Sequence, residues 1–203
     1  MDVRKLKKDI VFRERLRGMD FTFHSTWGLF SPRAVDEGSR LLIEQLQVEQ
    51  EDKCLDLGCG YGPIGLAMGR LANNGEVYMV DRDFVAVEYA AKNAKVNRLP
   101  NCRAQLGNGF EGLAGGKFNV VAANLPAKVG KELLYILLSD AKRRLLSEGR
   151  LYLVSLSGLR VFIKRACEEI FGNYEKLKQG RHYTVVKAVK RARRKDVHEE
   201  EGF

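Results

Sequence analysis

Lys53 to Gly65 reads KCLDLGCGYGPIG. Cys54-Leu55-Asp56-Leu57 is a short apolar run broken by one acid, the length of a buried strand. Gly58, Gly60 and Gly62 follow at alternate positions, and Gly65 stands three further on. Pro63 opens an apolar-periodic run of Ile64, Leu66, Ala67, Met68 and Leu71. The order predicted is strand, tight glycine turn, helix. Proline suits a first helical turn, where its missing N–H costs nothing. Glycines allow a sharp turn and let a ligand lie against bare backbone. The unpaired N–H groups of the helix start then face whatever occupies the loop. Gly60, Gly62 and Gly65 also satisfy G-x-G-x-x-G, the dinucleotide fingerprint. Two neighbours argue against that reading. Asp56 would repel a pyrophosphate and attract an ammonium, and Pro63 removes a donor that a dinucleotide site needs.

Outward from this stretch the chain alternates strand and helix. Downstream, Glu76–Val80 reads as a second strand ending at Asp81, followed by a helix from Asp83 to Val96. Cys102–Leu106 and the continuous apolar run Phe118–Ala123 are the third and fourth strands; the latter suits a sheet covered on both faces. A helix over Val129–Leu146, a strand over Arg150–Leu156 and a helix over Leu159–Phe171 follow. Tyr174–Lys178 and His182–Val189 lie too close together for a crossover helix, which predicts an antiparallel pair. Upstream, Ser31-Pro32 opens a helix with Ala34, Val35, Gly38, Leu41, Leu42 and Leu46 on one face. Asp20–Phe30 is aromatic and β-prone. Residues 2–17, with Val3, Leu6, Ile10 and Leu16 among charges, predict a basic amphipathic helix. Three segments are therefore expected: an N-terminal helix over 1–20, one domain over 21–190, and a charged, disordered tail over 191–203.

At 203 residues, 45% of them hydrophobic, the chain suits one α/β domain. No apolar run is long enough for a membrane helix, and the charged N-terminus lacks a secretory signal's apolar core. Four cysteines without C-x-x-C spacing and three histidines give no metal site. The cysteine pattern is that of a reduced, cytoplasmic protein. The net charge of +9 draws the chain to polyanions. Basic residues concentrate at both ends, which makes RNA the expected partner, held through those basic termini.

Asp56 and Gly58–Gly62, Asp81, Asn108 and Asn124 end four successive strands, so they converge on the crevice where open α/β sheets bind ligands. The pattern Asp56-x-Gly58-x-Gly60-x-Gly62 resembles motif I of the class I S-adenosylmethionine (SAM) methyltransferases. SAM makes demands these positions can meet. The loop Gly58-Cys59-Gly60-Tyr61-Gly62, with Asp56 nearby, suits the methionine ammonium and carboxylate. Asp81, next to Arg82, offers a carboxylate to the ribose hydroxyls. Asn108-Gly109-Phe110 offers a carbonyl and an apolar slot to adenine. Asn124-Leu125-Pro126 is the catalytic candidate. An amide oxygen and a backbone carbonyl can both accept from an exocyclic –NH₂ and favour the tetrahedral nitrogen that attacks the methyl group. Pro126 biases Leu125 to an extended shape. Read without a ligand, the tripeptide simply caps a strand.

DLGCGYGPIGLA, VDRD, FNVVAANLPAKVGKELL and the upstream TWGLFSPRAVDEGSRLL together resemble the "methyltransferase small domain" family. That family includes the 16S and 23S rRNA guanine-N2 methyltransferases, and the resemblance runs from Phe21 to Val189. It implies a three-layer, Rossmann-like α/β fold with a seven-stranded, mostly parallel sheet whose last strand is antiparallel. It implies SAM as cofactor, N-methylation of an RNA amine such as guanine N2, and Phe30-Ser31 beside the cofactor. The chain departs from the family's Asn-Pro-Pro-aromatic signature: Leu125 replaces the first proline, and Ala127 replaces the aromatic that stacks on the target base. Phe23, Trp27, Phe30 and Tyr183 are the candidates to replace it. Asn108 stands where an acid is usual. Methylation of a protein side-chain amide or a small molecule, a non-catalytic RNA-binding module, and a nicotinamide-dependent oxidoreductase remain alternatives. No P-loop motif is present.

Overall fold

The computed structural model describes residues 9–111, 113, 116–126 and 130–192. The glycine-loop strand, β3 (Lys53–Leu57), lies in the middle of a seven-stranded sheet. The chain enters it through a hairpin, β1 (Ile10–Leu16) and β2 (Met19–Ser25), and a helix, α1 (Glu37–Gln45). From β3 it runs through α2 (Pro63–Leu71), β4 (Glu76–Asp81), α3 (Phe84–Val96) and β5 (Cys102–Leu106) to one edge. It then returns to the other side of β3 as β6 (Phe118–Asn124), α4 (Lys131–Arg144), β7 (Leu145–Leu156) and α5 (Arg160–Phe171). The hairpin β8 (Glu175–Gln179) and β9 (Tyr183–Lys190) completes the order β5-β4-β3-β6-β7-β9-β8. The strands from β5 to β7 pair in parallel; β9 pairs antiparallel with both β7 and β8. This is the class I methyltransferase arrangement. The strand order reverses between β3 and β6, so the ligand crevice belongs at the carboxyl ends of those two strands.

Both faces of the sheet are covered. Leu42, Ile43, Leu66, Met68 and Ala90 from α1, α2 and α3 close one face together with Phe21 and Phe23 of the hairpin. Leu134, Leu138, Ile163 and Ala166 from α4 and α5 close the other. That is why β3 and β6 read as nearly unbroken apolar runs.

Three expectations are corrected. The helix foreseen over 2–17 is, over Ile10–Leu16, the strand β1. Ile10, Phe12, Glu14 and Leu16 alternate inward while Val11, Arg13 and Arg15 face out. The period-2 pattern wins because β2 pairs with it residue for residue, from Ile10↔Ser25 to Leu16↔Met19. The helix foreseen from Ser31-Pro32 begins only at Glu37, because Asp36 caps it by accepting from Ser39 N–H at 3.1 Å. The strand foreseen over Arg150–Leu156 starts earlier, at Leu145, so Gly149 lies inside β7. The rest of the N-terminal expectation, over 1–8, and most of the tail, 193–203, lie outside the described residues.

The hairpin is held in place by two asparagines four apart, Asn93 on α3 and Asn97 at its C-terminal cap. Asn97 Oδ1 accepts from Thr22 N–H at 2.9 Å, and its Nδ2 donates to Thr22 C=O at 2.8 Å. Asn93 does the same to His24, at 2.7 and 2.8 Å, and also donates to Tyr61 C=O in the glycine loop. The spacing of four along a helix, about 6 Å, matches two residues of a strand, about 7 Å. The two amides therefore replace a neighbouring strand for β2.

Gly75, in the Asn73-Asn74-Gly75 turn, is glycine because backbone crosses it. A Cβ there would lie 2.1 Å from Asp52 C=O. Backbone cannot swing aside as a side chain can. Gly75→Ala is therefore expected to destabilise the fold by about 2 kcal/mol, read as a lower urea midpoint. An unchanged midpoint would show that the turn relaxes freely.

Candidate active site

The loop after β3 folds back on itself. Gly58 and Cys59 N–H both donate to Val80 C=O at the end of β4, at 2.8 and 3.0 Å. Gly58, Gly60 and Gly62 have φ of 68°, 56° and 95°, the left-handed region that a side chain resists. A Cβ added at Gly58 or Gly60 would meet nothing within 4 Å. The bare backbone of those two residues therefore borders open space, as a ligand cradle requires. Gly62 instead faces inward, towards Met79 and Ala90, and starts α2.

Asp81 ends β4 and straddles the loop. Its Oδ2 accepts from Gly60 N–H and its Oδ1 from Asp83 N–H, both at 2.9 Å. Each oxygen keeps a lone pair for a further donor. Leu106 pairs with Asp81 across the β4–β5 ladder, and Phe84 starts α3; both are more than half exposed. Neither stands out in the sequence, since an exposed apolar residue at a strand end or helix start has no local signature.

Asp56 sits differently. It is 1% exposed, beneath the loop rather than beside it. Its Oδ2 accepts from Gly65 N–H at 2.7 Å, and its Oδ1 is buried with no partner among the described residues. Burial pushes its pKa up to about 7 against that hydrogen bond, with Asp81 adding to the rise. Cys59 is likewise turned into the core. Tyr61 is buried between Phe12 and Phe23, and its hydroxyl reaches the carbonyls of Ser31 and Ala34 at 3.1 Å. Tyr61 thus ties the Phe30-Ser31 segment to the glycine loop. Asn108, Gly109 and Arg82 are exposed, whereas Phe110 is buried with Val80 and Leu113 rather than open as a slot.

Asn124 ends β6, one ladder position past the Leu57↔Ala123 pair, so it adjoins the start of the glycine loop. Its Nδ2 donates to Asp36 Oδ1 and to Ser39 Oγ, both at 3.0 Å. A carboxylate only accepts, so the amide edge facing Asp36 must be the –NH₂. Oδ1 is thereby turned away from α1. Leu125 N–H donates to Val154 C=O at 2.9 Å, prolonging the ladder past β6, and Pro126 is exposed. Ala127 lies outside the described residues. Sequence reading missed Asp36 and Ser39, whose partner is more than eighty positions away.

The described residues hold no cluster of three or more His, Cys, Asp or Glu suited to a metal. Cys54, Cys59, Cys102 and Cys167 are buried, and burial pushes the Cys102 and Cys167 thiols up to about 12.

Residues 20–187 match the family described as "Methyltransferase small domain". The chain belongs to that family. It is a SAM-dependent methyltransferase. A Bacillus subtilis relative, the uncharacterized protein YbxB, is 33% identical over 180 residues, spanning 87% of this chain and 89% of that one. A T. thermophilus 16S rRNA N2 G1207 methyltransferase (RsmC), solved with AdoMet and guanosine, is 32% identical with a TM-score of 0.82. It matches 90% of this chain, which spans about half (51%) of that protein's length. The M. jannaschii tRNA m1G37 methyltransferase, 19% identical with a TM-score of 0.61, covers 90% of this chain and 57% of its own; it shares the fold. No helix among the described residues is long and apolar enough to cross a membrane.

Proposed function

We propose that this enzyme N-methylates an exocyclic amine of RNA, guanine N2 of ribosomal RNA being the target its features favour, in the cytoplasm. The carrying observation is the fixed amide of Asn124. With Nδ2 held by Asp36 and Ser39, Oδ1 is left as an acceptor at the switch point of the sheet. There it accepts from the substrate –NH₂, jointly with Leu125 C=O, while Pro126 limits the turn. Accepting both N–H bonds draws the lone pair out of conjugation and aims it, so no strong base is required. When bound, SAM would supply a sulfonium methyl, which the nitrogen would take as the C–S bond pair stays on sulfur and an amine proton leaves to solvent.

For the cofactor, the backbone of Gly58 and Gly60 faces the methionine end, Asp81 accepts from the ribose hydroxyls, and Leu106 and Phe84 offer apolar surface to adenine. Phe30, Ser31 and Asn108-Gly109 are assigned to the same crevice, with Ser31 linked to the glycine loop through its carbonyl's bond to Tyr61. The missing signature aromatic has two exposed replacements among the four candidates. Phe23 is fully buried and Tyr183 lies against Gly38. Trp27 is 48% exposed under the Arg33 guanidinium, and Phe30 is 67% exposed six residues before Asp36. Phe30 is the better placed to stack on a base. RsmC, at 32% identity, was solved with guanosine, which supports a guanine substrate here.

Labelled methyl transfer from SAM into an extract lacking this protein tests the reading. RNase-sensitive label is expected. Protease-sensitive label would instead make Ala127 the mark of a protein substrate. In parallel, Asp81→Ala is expected to weaken SAM binding on the order of tenfold or more, through lost charge-assisted bonds; unchanged calorimetric affinity would remove Asp81 from the ribose site.

A further inference from the structure

A cavity of about 670 Å³ opens between the β1–β2 hairpin and the far ends of α2 and α3. Four arginines line it: Arg13 and Arg15 from β1, Arg70 from α2, and Arg98 just beyond α3. All four are exposed. They come from three separate parts of the sequence, so the cluster is a product of the fold.

Arg70 is held in place, and the four guanidiniums are weakly opposed. Arg70 donates to Asn97 C=O at 3.2 Å and lies over the Phe21 ring at 5.8 Å, which holds its guanidinium in the groove. Asn97 is itself locked to Thr22. Arg13 and Arg15, two apart on the outer face of a strand, stand about 7 Å from each other. Of the two acids in the lining, Glu14 is turned to Arg40 on α1. Asp20 lies 3.8 Å from Arg15 and is almost fully solvated. The guanidinium groups of Arg13 and Arg98 have no ionic or hydrogen-bond partner among the described residues. A wall of guanidiniums with donors to spare suits phosphate oxygens, which guanidinium binds in a forked geometry.

The groove is at the opposite end of α3 from Asp81. Thirteen residues of helix put it about 20 Å from the cofactor loop. It is therefore too far to touch the target base, yet within reach of a polynucleotide whose target lies in the crevice.

We propose that this four-arginine groove is a docking site for the phosphate backbone of the RNA substrate, flanking the methylated residue. The proposal rests on the reading of RNA as substrate. It moves the polyanion contact from the two basic termini to a groove to which only the hairpin contributes terminal residues.

The test is the double variant Arg13→Ser with Arg98→Asn, since asparagine tolerates the left-handed φ of 57° at position 98. Binding of a labelled RNA oligonucleotide is followed against salt. The double variant is expected to bind about tenfold more weakly, with the slope of log affinity against log salt shallower by about 1.4. With deproteinised ribosomal RNA, KM is expected to rise while kcat and SAM affinity stay at the wild-type values. Asp20→Asn, which removes the opposing acid, is expected to bind the oligonucleotide more tightly. If wild type binds RNA and both variants bind it with unchanged affinity and slope, the groove is not the docking site. If wild type itself shows no salt-dependent RNA binding, the RNA reading falls and the groove with it.

Discussion

Asn124→Ala is expected to lower kcat about a hundredfold to a thousandfold, the usual loss when one preorganised polar contact to the reacting group is removed. SAM affinity should hold, since the side chain acts on the amine. The orientation of the amide makes a second, sharper expectation. Asp36 does two things with one oxygen: it caps α1 through Ser39 N–H and anchors Asn124 Nδ2. Asp36→Ser keeps a good capping residue but is too short to reach Asn124. It should retain stability while losing about tenfold in kcat. Asp36→Asn offers an oxygen to both donors and should recover most of that loss. Turnover at the wild-type rate in Asn124→Ala would remove this residue as the acceptor. Wild-type turnover in Asp36→Ser would show that the amide needs no anchor.

The part of the fold that rests on local chemistry is readable in the chain. Glycines that must take positive φ, a proline at a helix start and acids at strand ends mark the cradle and its order, and β3, β4, β5 and β6 fall where those marks put them. What depends on distant pairing is not readable. Residues 10–16 carry both a helical and an alternating apolar pattern; only the pairing with Met19–Ser25 decides between them. Asn97 reads as a helix end, and its work of bracing β2 through Thr22 is visible only in three dimensions. The same holds for direction. Asp56, Cys59 and Phe110 are in the right loops for a ligand, but all three side chains turn towards the core. A sequence places a residue in a loop without saying which side of the backbone it leaves.

Between about pH 4 and 7 the free enzyme is expected to lose stability as pH rises, and Asp56→Asn should remove most of that slope. The carboxyl's folded pKa is about 7, against an ordinary value of 3.8. In that window the folded state holds a proton that the unfolded chain has released, so each rise in pH favours unfolding. The slope reaches about 1.4 kcal/mol per pH unit, and across the window it amounts to a few kcal/mol. Asp9 contributes with the opposite sign. Lys92, Tyr89 and His24 hold its carboxyl well below the usual range, so its stabilisation is lost only as pH falls below about 4. The two effects occupy separate windows. Asparagine keeps an oxygen for Gly65 N–H without the buried charge. Urea unfolding of both proteins across the range measures the difference; parallel profiles would mean that Asp56 is ionised in the fold at little cost. The same variant separates two roles for the motif acid. If Asp56 is a strut beneath the glycine loop, as its bond to Gly65 and its burial indicate, SAM affinity survives the substitution. If its unpartnered Oδ1 meets the methionine ammonium, affinity falls with the charge.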